Sequence, residues 1–162
     1  MFSATEDVMQ ISGLERHEKR AICRDLNRLA IACRDDVIAR AEARDAVLTT
    51  DELRSLEAQV AKRLDFIDEL HDLVTRLGGR FVNRGSHFSG AQTFLHELGV
   101  FVAGRHVGDE YERCAQAEIR AARAYDDVLA HPLPVTVRVV LQRQQEEIVH
   151  DRDELKKLRY VH

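Results

Sequence analysis

An internal repeat is the feature of this chain that most constrains its fold. Residues 33–77 return at 114–158, much altered but at a constant offset of 81 residues. Several paired positions keep the same residue type, as Cys33 and Cys114 do. Each copy contains two stretches of helical periodicity separated by a turn. Two copies of a helix–turn–helix predict a four-helix bundle with an internal pseudo-two-fold axis.

The periodicity predicts the extent of each element. The expected bundle helices cover 26–47, 49–77, 109–130 and 135–159, and a long crossover at 80–108 separates the second from the third. Residues 89–104 carry helical spacing and predict an extra helix within this crossover. We expect the crossover to let the third helix run parallel to the first. Residues 1–25 are expected to form an N-terminal helical extension, and 26–162 the four-helix bundle itself.

Composition excludes several classes of function. The net charge of −4 and the scattered arginines indicate a solvated surface and no nucleic-acid partner. No apolar run approaches the roughly 20 residues of a membrane span, and the N-terminus lacks the apolar segment of a signal peptide, so no membrane partner is expected. Three cysteines cannot all pair, which favours a reducing compartment, the cytoplasm, with thiols acting as small core residues.

Glu118 lies at the centre of an apolar helical stripe. At about 100° per residue, Tyr111, Cys114, Ala122 and Tyr125 fall on the same face of the third helix. A carboxylate in this position faces the core, where an unpaired charge costs several kcal/mol. Glu118 therefore needs a cation, a hydrogen-bond donor or a metal ion as its partner.

A metal site is one way to provide that partner. Glu147 and His150 form a Glu-x-x-His pair, whose spacing places a carboxylate and an imidazole one helical turn apart. Ferritin-like di-iron proteins use a Glu from each of two helices and a Glu-x-x-His from each of the other two. The second repeat carries this pattern, whereas the first repeat has Val37 opposite Glu118 and retains only Glu69 as a candidate ligand.

A buried ionic network is the alternative. Its predicted members are Glu118, Glu147, Asp151 and Gln144, neutralised by Arg63 and Arg44. The sequence carries no local arrangement typical of a serine, cysteine or threonine nucleophile and no phosphate-binding glycine loop, so no catalytic residue is predicted.

The crossover is unusually aromatic, with four of the six phenylalanines of the chain. Phe94, Leu98 and Phe101 follow helical spacing and predict a homo-oligomer contact. The alternative is that this segment covers the flank of its own bundle.

Several short motifs together carry a resemblance to a known family. They are Leu26-Asn-Arg-Leu with Cys33-Arg-Asp, Phe66-Ile-Asp-Glu-Leu with Leu77-Gly-Gly, Cys114-x-x-x-Glu118 with Tyr125, and Glu147-x-x-His150-Asp. In these motifs the chain resembles a bacterial family of rubrerythrin-like, ferritin-like four-helix bundles, catalogued as a domain of unknown function and linked to stress responses. The resemblance implies a ferritin-like fold and a metal site, for iron, at Glu118, Glu147, His150 and Glu69.

The preferred interpretation is a ferritin-like bundle with a degenerate metal site or a buried ionic network, and with a non-catalytic or sensory role. One alternative is a di-iron-type metalloprotein that reacts with oxygen or peroxide. Another is a helical adaptor that binds a second protein through the aromatic crossover.

Overall fold

The computed structural model describes residues 11–44, 49–82 and 107–159. Four long helices account for most of them: α1 is Arg16–Ala43, α2 is Thr50–Arg76, α3 is Val107–Leu129 and α4 is Val135–Arg159. No strand occurs within these three ranges, so the all-α class and the four helices are confirmed. The predicted crossover helix and the proposed contact through Phe94, Leu98 and Phe101 lie outside the described residues.

Local signals fix the helix ends. Thr49 caps α2 through its side-chain oxygen, which accepts from Glu52 N at 3.2 Å, and Glu52 accepts in return from Thr49 N at 3.0 Å. Gly78 ends α2 with φ of 71°, a left-handed conformation that glycine adopts without strain. Arg138 stabilises the end of α3, because its guanidinium donates to Leu129 O at 2.9 Å.

Contacts between neighbouring helices define their directions. α1 and α2 are antiparallel, because Arg40 near the end of α1 bonds Gln59 in α2, whereas Asn27, earlier in α1, bonds Arg80 just beyond the end of α2. α4 is antiparallel to both α3 and α2. The contacts that define its direction are Tyr125–Gln144 and Leu129–Arg138 with α3, and Lys62–Asp151 and Glu69–Gln144 with α2.

α3 runs antiparallel to α1, which corrects the prediction that the two are parallel. Arg28 in the middle of α1 pairs with Asp127 near the end of α3 at 2.8 Å, and Glu42 at the end of α1 pairs with Arg113 in the first half of α3 at 3.0 Å. α2 and α3 are therefore parallel, and the order of directions is up, down, down, up. A long connection is needed for this order because α2 ends at the opposite end of the bundle from the start of α3.

The core reproduces the internal repeat. Positions 81 residues apart are buried in both copies: Cys33 and Cys114, Val60 and Leu141, Ile67 and Ile148, and Val74 and Leu155. The predicted boundary between residues 25 and 26 lies inside α1, where Ile22 and Cys23 already pack in the main core. No helix within the described ranges combines the length and the apolarity needed to cross a membrane.

Candidate functional site

Glu118 lies at the centre of the bundle with no solvent exposure, as its place on the apolar stripe predicted. Its Oε1 accepts a hydrogen bond from Arg40 Nη2 at 2.8 Å. Arg63 Nη2 approaches the same oxygen at 3.5 Å. Both guanidiniums are fully buried, so two cations from α1 and α2 meet one carboxylate from α3 in the interior.

Asp36 joins the two arginines from the other side. Its Oδ2 accepts from Arg40 Nε at 3.2 Å and from Arg63 Nε at 2.8 Å. Asp36 and Arg40 are four residues apart on α1, a spacing that places them on one face. The two guanidiniums are thus held between two carboxylates, each of which contacts both of them.

Asp151 of α4 is the third carboxylate that contacts these arginines, and it connects them to the surface. Its Oδ2 accepts from Arg63 Nη1 at 2.9 Å, and its Oδ1 accepts from the half-buried Lys62 at 3.0 Å. Lys62 also contacts Glu147 at 3.5 Å. We refer to Asp36, Arg40, Arg63, Glu118 and Asp151 as the core network; it connects all four helices.

The core network carries three carboxylates against two guanidiniums. Burial raises the pKa of Glu118 from 4.5 to about 7; the charge of Arg40 opposes this rise, and that of Asp36 adds to it. A proton on Glu118 makes the five side chains neutral overall. Burial likewise raises the pKa of the Cys33 thiol to about 11 and that of Cys114 to about 12. Both thiols therefore stay protonated at neutral pH and are poor nucleophiles.

A second chain of hydrogen bonds runs beside the core network. Tyr125 OH lies 3.4 Å from Cys33 Sγ and donates to Gln144 Oε1 at 2.7 Å. Gln144 Nε2 then donates to Glu69 at 2.6 Å, and Glu69 bonds Arg143 at the surface. This polar chain satisfies three buried side chains and ends in solvent.

The four predicted metal ligands are not brought together. Glu118 is in the core, and its Oε1 is engaged by two guanidiniums. Glu69 is 41% exposed and pairs with Arg143, Glu147 is 34% exposed and pairs with Arg143 and Lys62, and His150 is exposed. Across residues 11–44, 49–82 and 107–159, no three His, Cys, Asp or Glu side chains converge as a metal site would require. The contacts among the described residues therefore do not support a metal ion at these four side chains, and the metal site stays an untested prediction.

The predicted network is partly right in its membership. Glu118, Asp151 and Arg63 are buried and joined, and Gln144 is buried in the adjacent polar chain. Arg44 is not a member, because it is 43% exposed and pairs with Glu57 at 3.5 Å. Glu147 reaches only the surface end, through Lys62.

Asp36 and Arg40 were not among the predicted members of the network. A signal for them was present, since they follow the apolar Leu29 and Cys33 at helical spacing along the same face of α1. Oppositely charged residues four apart on a buried stripe indicate a core pair as readily as a lone glutamate does.

No family model, curated protein or solved structure matches this chain. Function is therefore inferred from the geometry of the helices and of the core network.

Proposed function

We propose that this chain is a ferritin-like four-helix bundle with a non-catalytic role, in which the core network stands where di-iron proteins hold their metal ligands. The order of helix directions supports the assignment, because ferritin-like bundles have one long crossover. The repeat supports it too, because Glu118 of α3 and Val37 of α1 are equivalent positions, 81 residues apart. In a di-iron site both of these positions would supply a carboxylate, and here only α3 retains one.

One observation carries the non-catalytic role: two buried guanidiniums contact the same oxygen of Glu118. Two permanent cations surround the carboxyl oxygen that a metal ion would need as a ligand. On α4, the side chains buried at this level are Gln144, Ile148 and Asp151, whereas Glu147 and His150 lie towards the surface. The network links four helices by specific donor–acceptor pairs and so favours one packing arrangement over slipped alternatives.

Anaerobic loading with Fe(II), followed by desalting and elemental analysis, tests this proposal. We expect far less than one iron per chain and no iron-dependent consumption of oxygen or peroxide. The matched variants are Glu118→Gln in the core and Glu146→Gln on the exposed face of α4. Stoichiometric iron that disappears in Glu118→Gln but not in Glu146→Gln would overturn the proposal in favour of a di-iron-type metalloprotein.

Assembly is proposed separately from the core. A homo-oligomer formed through Phe94, Leu98 and Phe101 predicts that a Phe94→Asp, Phe101→Asp variant has a lower mass in light scattering than the parent chain. An unchanged mass would refute this contact.

A further inference from the structure

A cleft of about 830 Å³ lies between the first half of α1 and the residues that follow α2. Its lining holds six basic side chains: Arg16, Lys19, Arg20, Arg24, Arg28 and Arg80. We refer to these six residues as the basic cleft. No Asp or Glu of the described residues lines it.

The five cations of α1 lie on one side of the helix, within about half of its circumference. Arg16, Arg20, Arg24 and Arg28 recur every four residues, with Lys19 next to Arg20, and at 1.5 Å per residue the set extends over about 18 Å. Arg16, Arg20, Arg24 and Arg28 are exposed, so their guanidiniums are accessible to a ligand. Sequence reasoning treated the arginines as scattered, but the pairing of α1 with α2 also brings Arg80 to this face.

Among the described residues, the charges of the basic cleft are largely unneutralised. Arg28 pairs with Asp127 at 2.8 Å, whereas no ion pair within the described part of the chain engages the other five cations. Arg16, Lys19 and Arg20 also lie in the first turns of α1, where the helix dipole disfavours positive charge. A concentration of positive charge here contrasts with the net charge of −4 and creates a local field that attracts anions.

The floor of the cleft is held in place by specific contacts. Asn27 Nδ2 donates to Arg80 O at 3.1 Å, and its Oδ1 accepts from Val82 N at 2.8 Å. These two bonds fix the backbone that carries Arg80 against α1. Ile31 and Val82, both about half exposed, add an apolar surface at one side.

We propose that the basic cleft binds a small molecule that carries two or more linked phosphate groups. Several guanidiniums on one face suit phosphate oxygens, which they bind by paired, charge-assisted hydrogen bonds. The volume lies within the range of small-molecule sites. A nucleoside triphosphate and an inorganic polyphosphate share this chemistry; the apolar surface of Ile31 and Val82 suits the base of the former. The site is separate from the core network and does not depend on its role.

Isothermal titration calorimetry with ATP and with inorganic tripolyphosphate, at one fixed ionic strength, tests the site. We expect saturable binding that weakens by about tenfold or more in an Arg20→Gln, Arg24→Gln variant. The matched control is Arg54→Gln, Arg123→Gln, which removes the same charge from exposed positions outside the cleft. Circular dichroism and thermal melting verify that both variants fold.

The two ligands distinguish the source of the phosphates. If ATP binds more tightly than tripolyphosphate, and Ile31→Gln lowers the affinity for ATP to that for tripolyphosphate, the ligand is a nucleotide. If the two anions bind with equal affinity, the ligand is an inorganic phosphate chain. Either result supports the site. Three results overturn it: no binding of either anion, equal weakening in the control variant, or tighter binding of a single-stranded oligonucleotide than of both anions. A fourth contrary result would be a loss of thermal stability without a loss of anion binding in Arg20→Gln, Arg24→Gln. It would mean that these two cations stabilise the fold and do not bind the anion.

Discussion

Arg40 and Glu118 form a fully buried ion pair, with Arg40 Nη2 at 2.8 Å from Glu118 Oε1. The pair joins the end of α1 to the middle of α3, and Asp36 and Arg63 surround it. Desolvating two charges costs several kcal/mol each, so the pair is stable only while every partner is present. The core is therefore most sensitive to changes that leave one charge alone.

Removal of Arg40 tests this dependence directly. Arg40→Met keeps the length of the side chain but leaves Asp36 and Glu118 with one guanidinium between them. We expect the free energy of unfolding to fall by about 3–5 kcal/mol, measured by urea denaturation. Arg44→Met is the matched control, because Arg44 is 43% exposed and its pair with Glu57 is worth about 1 kcal/mol at most. Equal effects of the two substitutions would contradict a buried network.

Glu118 makes stability depend on pH. Its pKa is about 7 in the folded chain, against an ordinary value of 4.5. Between these values the folded chain holds a proton that the unfolded chain has lost. The stabilising contribution of this carboxyl is therefore complete below about pH 4.5 and is lost as pH rises through 7.

The measurement is the free energy of unfolding from pH 4.5 to 8 for the parent chain and for Glu118→Gln. The difference between the two curves should decline with a slope that approaches about 1.4 kcal/mol per pH unit, because the amide does not titrate. Parallel curves would show that Glu118 does not titrate in this range in the folded state.

Tyr125 and Tyr111 provide a matched pair of hydroxyl deletions. Tyr125 OH donates to Gln144 at 2.7 Å, whereas Tyr111 OH is buried without a hydrogen-bond partner among the described residues. Tyr125→Phe should cost about 1–3 kcal/mol, because it leaves Gln144 Oε1 unsatisfied. Tyr111→Phe should be neutral or slightly stabilising, because it removes an unpaired polar atom. Thermal melting of both variants checks the prediction, and the reverse order would refute the polar chain.

Helix number and the inward position of Glu118 follow from the sequence because periodicity reports which face of a helix is apolar. The direction of α3 does not, since a face pattern is the same whichever way a helix runs. Arg40 was missed because Arg44, at the repeat position of the inward-facing Tyr125, was assigned to the network in its place. A buried arginine is acceptable once Asp36 and Glu118 lie beside it. The basic cleft depends on Arg80 meeting α1 across 50 intervening residues or more, which only tertiary pairing reveals.

Gly79 packs against Cys23 at the point where α2 ends beside α1. A Cβ at position 79 would overlap Cys23 Sγ and would lie 3.1 Å from Val74 Cγ1. Gly79→Ala should therefore destabilise the chain by about 1–3 kcal/mol through overpacking, as measured by urea denaturation. Cys23→Ala removes the obstructing sulfur, so the Gly79→Ala, Cys23→Ala double variant should lose less unfolding free energy than the sum of the two single effects.

Gly78→Ala is the control for this prediction. Nothing lies within 4 Å of a Cβ at position 78, and the cost of this substitution comes from the φ of +71°, which Cys23→Ala cannot relieve. Rescue of Gly78→Ala by Cys23→Ala, or additivity at Gly79, would disprove the steric origin.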